Sequence, residues 1–380
     1  MSASEVPHTP AGGYNAGLDR RVAELSSERD ALGRACRHLE KALTEVVKQR
    51  DDLLNGRGAA AQPPEIDAVS TEQLAAACAI RLRDVPGNRF HGIFDEAGYH
   101  LVRKHYYVPL PELDDIKPDA WTTPSKVAGV DMNESAAHEL MDVILPPFLA
   151  EFRARFPIHA VPDQKGFHLI NGRYMAVDSH LLYGLVRHSK PRRIIEIGNG
   201  ASTMIAVAAA ELNRTEGFPV KVISIDPYPT PDFANGYPGL DELIVKKVED
   251  VPDTLFTDLE PNDIFFIDSS HVLRWGNDVY HLYMNVLPLI GKGVLVHVHD
   301  ISLPMPYPKV YFDNQLYWNE QYLLQAFLMF NSRFRVIWPG NYMMLKDPAK
   351  MLAVFPEIAD MRKVYPSSEP TAFWMRVGDP

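Results

Sequence analysis

Apolar positions along the chain change their period several times, and each change marks an element. From Leu18 to Leu53 the residues Leu18, Val22, Leu25, Leu32, Cys36, Leu39, Leu43, Val46 and Leu53 recur at alternating steps of four and three, with Arg29 and Arg50 filling the gaps. That is a heptad seam between flanks rich in Glu, Arg, Lys and Ala. It predicts a coiled-coil helix over residues 18–54 that joins subunits into a homo-oligomer. Residues 1–17 are small and polar and read as a disordered lead. Residues 55–69 are rich in Gly, Ala and Pro and read as a linker. Ser70 with Gln73 makes a capping box for a helix reaching about Arg83. The aromatic, β-branched segment Gly98–Pro109 reads as β-rich, a Pro-rich loop runs through Pro124, and a helical pattern covers Glu134–Arg155. Residues 70–165 therefore read as an N-terminal cap region beside a larger domain at 166–380.

In that larger domain, short apolar runs without alternation take turns with helical patterns. A helix over Val177–His188 precedes a run ending at Glu196. Further runs follow at Val220–Ile225, Leu243–Val248, Asp263–Ile267, Gly293–Val298, Phe334–Trp338 and Ala372–Val377. Helical patterns separate several of them, at Val279–Leu287, Trp318–Phe330 and Met351–Phe355. Runs apolar on both faces fit parallel strands covered by helices on each side. The pattern predicts an α/β fold, a Rossmann-like doubly wound, mostly parallel seven-stranded sheet, with its ligand at the carboxyl ends of the strands.

Composition narrows the partners. A net charge of −11 argues against a broad nucleic-acid surface. Two cysteines, Cys36 and Cys78, make neither a disulfide framework nor a zinc set, and a cytoplasmic location is the natural reading. No apolar run reaches about 18 residues, so no membrane span is expected.

The candidate chemistry gathers at the strand ends. Ile194-Ile195-Glu196-Ile197-Gly198-Asn199-Gly200 is a strand and a tight turn, with Ser202 placed to cap the helix that follows. Glycines at 198 and 200 let a ligand approach bare amides. Asp226 lies thirty positions beyond Glu196, at the tip of the next strand, where ribose hydroxyls are gripped. Thr203 stands where the third glycine of a dinucleotide pattern would be, which points to a nucleoside ligand without a pyrophosphate. An acidic pair, Glu249-Asp250, sits at the third strand end. Asp268 and His271 follow the fourth strand, and His297, His299 and Asp300 end the fifth. These last two ends are neighbours in such a sheet, so their side chains converge.

These ordered segments resemble class I S-adenosylmethionine-dependent methyltransferases. Ile267–His271, His297–Asp300 and Trp318–Phe327 are similar to segments of bacterial methyltransferases from secondary-metabolite and surface-glycan gene clusters. The resemblance covers residues 165–347. It implies a methyltransferase that binds S-adenosylmethionine through Glu196, Gly198, Gly200, Ser202, Asp226, Asp250 and Asp268. It implies a small polar acceptor, a sugar or glycosylated natural product being the leading expectation, and O-methylation of its hydroxyl. N- or C-methylation, or a non-catalytic scaffold that binds the donor, are the other readings.

Two chemistries for removing the acceptor proton stay open. In one, His271 or His299 is a general base oriented by Asp300 or Asp268. In the other, Asp268, His271, His299 and Asp300 hold a divalent metal such as Mg that lowers the hydroxyl pKa. A third possibility leaves the histidines as hydrogen-bonded supports. His105, Tyr106 and Tyr107 read as packed core or acceptor-pocket lining, Arg173 as a reach to the donor carboxylate or a surface residue, and Asn319 and Glu320 as polar residues opening a cover helix.

Overall fold

The computed structural model describes residues 71–82, 91–102, 104–162 and 166–379. The heptad seam at 18–54, the lead and the linker lie outside them. The chain divides into two compact units, one up to Pro109 and one from Leu110. In the first, Thr71–Leu82 is helical and a short helix spans His91–Glu96. The described residues of the segment 98–109 form no strand: they run as irregular chain and turns. Its aromatic content favours a pleated surface, but a strand needs a partner to bond with. His105, Tyr106 and Tyr107 instead stack on one another, with ring centroids 4.2 and 4.3 Å apart along the series, and both tyrosines are exposed.

The second unit holds a seven-stranded sheet: β1 Arg193–Ile197, β2 Lys221–Ile225, β3 Glu242–Ile244, β4 Ile264–Ile267, β5 Leu295–Val298, β6 Phe334–Pro339 and β7 Phe373–Val377. Their spatial order is β3-β2-β1-β4-β5-β7-β6. β1 to β5 pair in parallel, and β7 runs antiparallel between β5 and β6. Alternation is visible once both faces are followed. Ile194, Val222, Phe266, Leu295 and Trp374 enter one apolar layer, and Ile195, Ile223, Phe265, Val296 and Phe373 enter the other. The first layer is covered by helices Pro146–Arg155, Asp178–Ser189 and Ala201–Thr215, the second by Asp278–His281 with its continuation and by Glu320–Leu328. Each strand is apolar on both sides because each side meets helices.

Several boundaries differ from those read in the sequence. The helical pattern at 134–155 is broken: an α-helix at Glu134–Glu139 passes into a wide turn at Leu140–Ile144 and restarts at Pro146. Two adjacent prolines cannot supply the N–H groups that would continue the first helix, but they suit a helix start. The third strand is three residues long, and Val248–Asp250 is a 3-10 turn. A helix at Glu357–Val364 stands where none was read.

Where the sheet turns over, buried carboxylates tie chain to chain. Asp263, fully buried before β4, accepts from the backbone N–H groups of Arg192, Arg193 and Glu260 at 2.8–2.9 Å. That bond set aligns the start of β1 with the start of β4. All the strand tips discussed below lie at the opposite end.

Candidate active site

The turn after β1 is built from within. Glu196 is buried, and its carboxylate accepts from the Ser202 hydroxyl at 2.6 Å and the Thr203 hydroxyl at 2.5 Å. The Thr203 hydroxyl oxygen in turn accepts from the Gly200 N–H at 3.0 Å. Burial pushes the Glu196 carboxyl up to about 8, against the pull of the two hydroxyls and with a further push from Asp268 and Asp226. Glu196 and Ser202 thus brace the turn against the helix start and do not line the cleft beside it.

That cleft, of about 420 Å³, lies at the carboxyl ends of β1, β2 and β4 and is lined by Gly198, Asp226, Tyr228, Glu249, Asp268 and neighbouring residues. Asp226 is held in place from two sides. Its carboxylate accepts from the Asn199 N–H at 3.1 Å and the Tyr228 N–H at 2.7 Å. Gly198 has φ +84, and a Cβ there would stand 2.2 Å from the Asp268 carbonyl oxygen. Only glycine lets the β1 and β4 loops cross this closely. Gly200 does not line the cleft, and at the third strand end Glu249 lines it while Asp250 is exposed on the turn. Arg173 is exposed as well.

Beyond Asp268 the β4 and β5 tips converge. His271 Nε2 lies 3.3 Å from an Asp268 oxygen and 3.5 Å from an Asp300 oxygen. His271 and Asp300 both adopt positive φ, at 58° and 54°. Such strain in non-glycine residues gathers at working sites. His299 Nδ1 is 3.5 Å from Asp268 and 3.7 Å from Asp300. Its Nε2 faces Asp178 at 3.5 Å. Asp178 is itself buried and accepts from the Thr371 and Ala372 backbone N–H groups at 3.0–3.2 Å and from the Thr371 hydroxyl at 3.1 Å. The structure therefore places a third carboxylate at His299, on its far side, supplied by a helix start and fixed by the residues just before β7.

His271 also has a partner on its far side: Glu320, fully buried, lies 2.9 Å from Nδ1. His297 is different. It is fully buried among Phe266, Trp374 and Tyr174, neither ring nitrogen has a side-chain partner, and burial holds it well below the ordinary histidine range despite the nearby Phe373 backbone. It is a neutral core residue.

The charges at the converged tips are strongly coupled. Burial disfavours each ion, but the acid–base contacts outweigh it. Asp268 is held well below the usual carboxylate range by His299 and His271. His299 is raised by Asp300 and Asp268, and His271 is pushed up to about 10 by Asp268 and Glu320. One oxygen each of Asp268 and Asp300 and one nitrogen of His271 lie within 4.8 Å of one another. Two carboxylates at this spacing, with an imidazole beside them, fit a divalent cation such as Mg or Mn.

An aromatic wall flanks this cluster. The Trp318 ring lies 4.3 Å from the His271 ring and 4.5 Å from that of Tyr311, and burial, with a smaller push from the Asp300 charge, raises the Tyr311 phenol to about 12.

Of the residues singled out in the sequence, Gly198, Asp226 and Asp268 meet at the cleft, and Asp268, His271, His299 and Asp300 meet beside it. Asp178 and Thr371 were missed because their roles come from pairings about 70 to 190 residues apart, which no local pattern carries. Glu320 was visible only as a polar residue opening a helix.

Residues 195–301 match the family model of a methyltransferase domain. Over 179 residues, 44% of this chain and 78% of the relative, the chain is 25% identical to an uncharacterised protein of Archaeoglobus fulgidus. Among solved structures it is similar to an apo form of CmcI, with 16% identity over 55% of this chain and 73% of that one, at a TM-score of 0.33. It is also similar to the O-methyltransferase from Bacillus cereus in complex with SAH, with 15% identity over 64% of this chain and 97% of that one, at a TM-score of 0.30.

Proposed function

We propose that this chain, which carries a class I S-adenosylmethionine-dependent methyltransferase domain, methylates a hydroxyl of a small polar acceptor with help from a divalent cation. The observation that carries this reading is the meeting of Asp268, His271 and Asp300 beside the Gly198–Asp226 cleft.

The donor's nucleoside fits that cleft, with the Asp226 carboxylate, already oriented by Asn199 and Tyr228, turned to the ribose hydroxyls. Gly198 leaves room for close approach. Asp268 and Asp300 would hold the cation. When bound, such a cation orients the acceptor oxygen and lowers the pKa of its hydroxyl. The acceptor oxygen attacks the methyl carbon, the carbon–sulfur bond breaks with its electron pair going to sulfur, and the acceptor proton passes to His271 Nε2, once a cation held by Asp268 and Asp300 has offset the carboxylate charge that otherwise keeps that nitrogen protonated. His299, braced by Asp178, sets the charge and position of the two aspartates. The aromatic wall of Trp318 and Tyr311 gives the acceptor an apolar face to lie against. A sugar or glycosylated metabolite, with hydroxyls on its edges and C–H faces, suits that wall.

The test is calorimetric titration with S-adenosylmethionine, followed by product detection on a library of hydroxyl acceptors before and after chelation. Binding, turnover, loss on chelation and recovery with Mg²⁺ or Mn²⁺ are the expected results. Full activity after exhaustive chelation removes the cation from the reading. Failure to bind S-adenosylmethionine removes the enzyme. Assembly through residues 18–54 is a separate proposal: deletion of residues 1–60 should lower the mass in light scattering towards that of a monomer.

A further inference from the structure

We infer that Glu320 is a positioning residue for His271, fixing the imidazole ring so that Nε2 is the nitrogen presented to the reacting oxygen. The inference rests on the reading above and adds a residue outside the strand tips.

Glu320 is the first residue of the helix Glu320–Leu328 and is fully buried. A buried carboxylate is costly unless something repays its desolvation. At a helix start, the side chain would ordinarily satisfy its own helix's free N–H groups or face water. Glu320 does neither. One oxygen meets His271 Nδ1 at 2.9 Å, and the other has no partner of hydrogen-bond geometry, with the equally buried Tyr283 hydroxyl as its neighbour.

The helix start does more than supply this carboxylate. The backbone N–H groups of Asn319 and Glu320 both donate to the His271 carbonyl, at 2.9 and 3.1 Å. The Asn319 side-chain oxygen accepts from the Leu273 N–H at 2.6 Å. Trp318 lays its ring against the imidazole, with centroids 4.3 Å apart. Three consecutive residues thus hold the backbone, the loop and the ring of His271, which sits at positive φ and would otherwise relax. With Nδ1 bound to Glu320, the ring cannot flip without leaving that carboxylate buried and unpaired. The nitrogen opposite, Nε2, is then fixed beside Asp268 and Asp300. A carboxylate behind one imidazole nitrogen and the chemistry at the other is the geometry by which histidine bases are oriented.

The experiment uses the full chain labelled with ¹⁵N-histidine and saturated with S-adenosylhomocysteine. Wild type should show a downfield, slowly exchanging, ¹⁵N-coupled ring proton that is absent from His271→Gln and moves upfield in Glu320→Gln. On an acceptor that wild type turns over, Glu320→Gln should lose about tenfold to a hundredfold in kcat, keep KM and S-adenosylhomocysteine affinity within about threefold of wild type, and recover part of the rate in Glu320→Asp. Absence of the resonance in wild type overturns the inference, as does its indifference to Glu320→Gln or an unchanged kcat. Parallel loss of affinity, Tm and kcat in Glu320→Gln also overturns it, in favour of a purely structural carboxylate. The wild-type resonance, assigned through His271→Gln, decides the matter even if Glu320→Gln does not fold. Failure to bind S-adenosylhomocysteine at all refutes the methyltransferase reading instead, so the two failures are distinct.

Discussion

Two glycines stand two residues apart after β1, and the structure gives them unequal work. Gly198→Ala would put a Cβ 2.2 Å from the Asp268 carbonyl oxygen, against 3.4 Å for ordinary contact, so one of two backbones must yield by about 1.2 Å. The alanine must also hold φ near +84, which costs about 1–2 kcal/mol. Overpacking against a fixed backbone adds about 1–3 kcal/mol. The expected destabilisation is therefore roughly 2–5 kcal/mol, a fall in Tm of about 4–20 °C for a unit of this size. The displaced segment carries Asp268, and a misplacement of about 1 Å at a binding site costs on the order of a hundredfold. S-Adenosylhomocysteine affinity, read by calorimetry, should fall about tenfold to a hundredfold. Gly200 is the internal control. Its φ of 166° is extended, and an added Cβ would meet nothing within 4 Å. Gly200→Ala should bind within about threefold of wild type, since no strain or clash is introduced. Equal damage at both positions, or a Gly198→Ala protein that binds and melts like wild type, would refute the reasoning.

Other outcomes follow from the same geometry. His297→Phe should keep turnover and S-adenosylhomocysteine binding, because the ring it replaces has no polar side-chain partner. Its folded pKa lies below the unfolded value of 6.5, so wild type loses stability as pH falls through 6.5, where the unfolded chain takes a proton that the folded one refuses. The variant's Tm should decline less steeply below that pH, and a parallel decline would contradict the assignment. Arg187→Met should cost about 1–3 kcal/mol, because the buried guanidinium is bonded to Glu151, Glu216 and Asn213. Arg187, with Lys190, holds Glu216 at about 2, so the part of the wild-type advantage carried by that pair is present above the unfolded glutamate pKa and should shrink in melts run from there down towards pH 2, while the part carried by Asn213 stays. Asp263→Ala removes the acceptor of three backbone N–H groups and should cost about 2–4 kcal/mol in denaturant titration. A loss under about 0.5 kcal/mol would mean that those groups find other partners.

The sheet was largely legible in the sequence because its strands are apolar on both faces and end in polar residues that cannot be buried unpaired. Glu196, Asp226, Asp268 and Asp300 advertise the strand ends for that reason. What each carboxylate faces was not legible. Glu196 turns into its own helix start because Ser202 and Thr203 offer two hydroxyls there, and nothing in spacing separates that from a turn towards the ligand. The segment 98–109 misled because β propensity describes a side chain's fit to a sheet without saying that a sheet is present. The helix at Glu357–Val364 follows Pro356, and its eight residues give too short a period to detect. Asp178 and Glu320 look like ordinary acidic residues near helix starts until the fold brings His299 and His271 to them.

The antiparallel β7 carries a consequence for how the molecule is made. Of the seven strands described it is the last in chain order, yet it belongs between β5 and β6, which are synthesised before it. Until residues 371–377 emerge, β5 has an open flank and Asp178 lacks the Thr371 and Ala372 amides. A nascent chain can assemble the Gly198–Asp226 cleft early, while the corner around His299 and Asp178 must wait for β7. The support behind His299 is thereby completed only once β7 has joined the sheet.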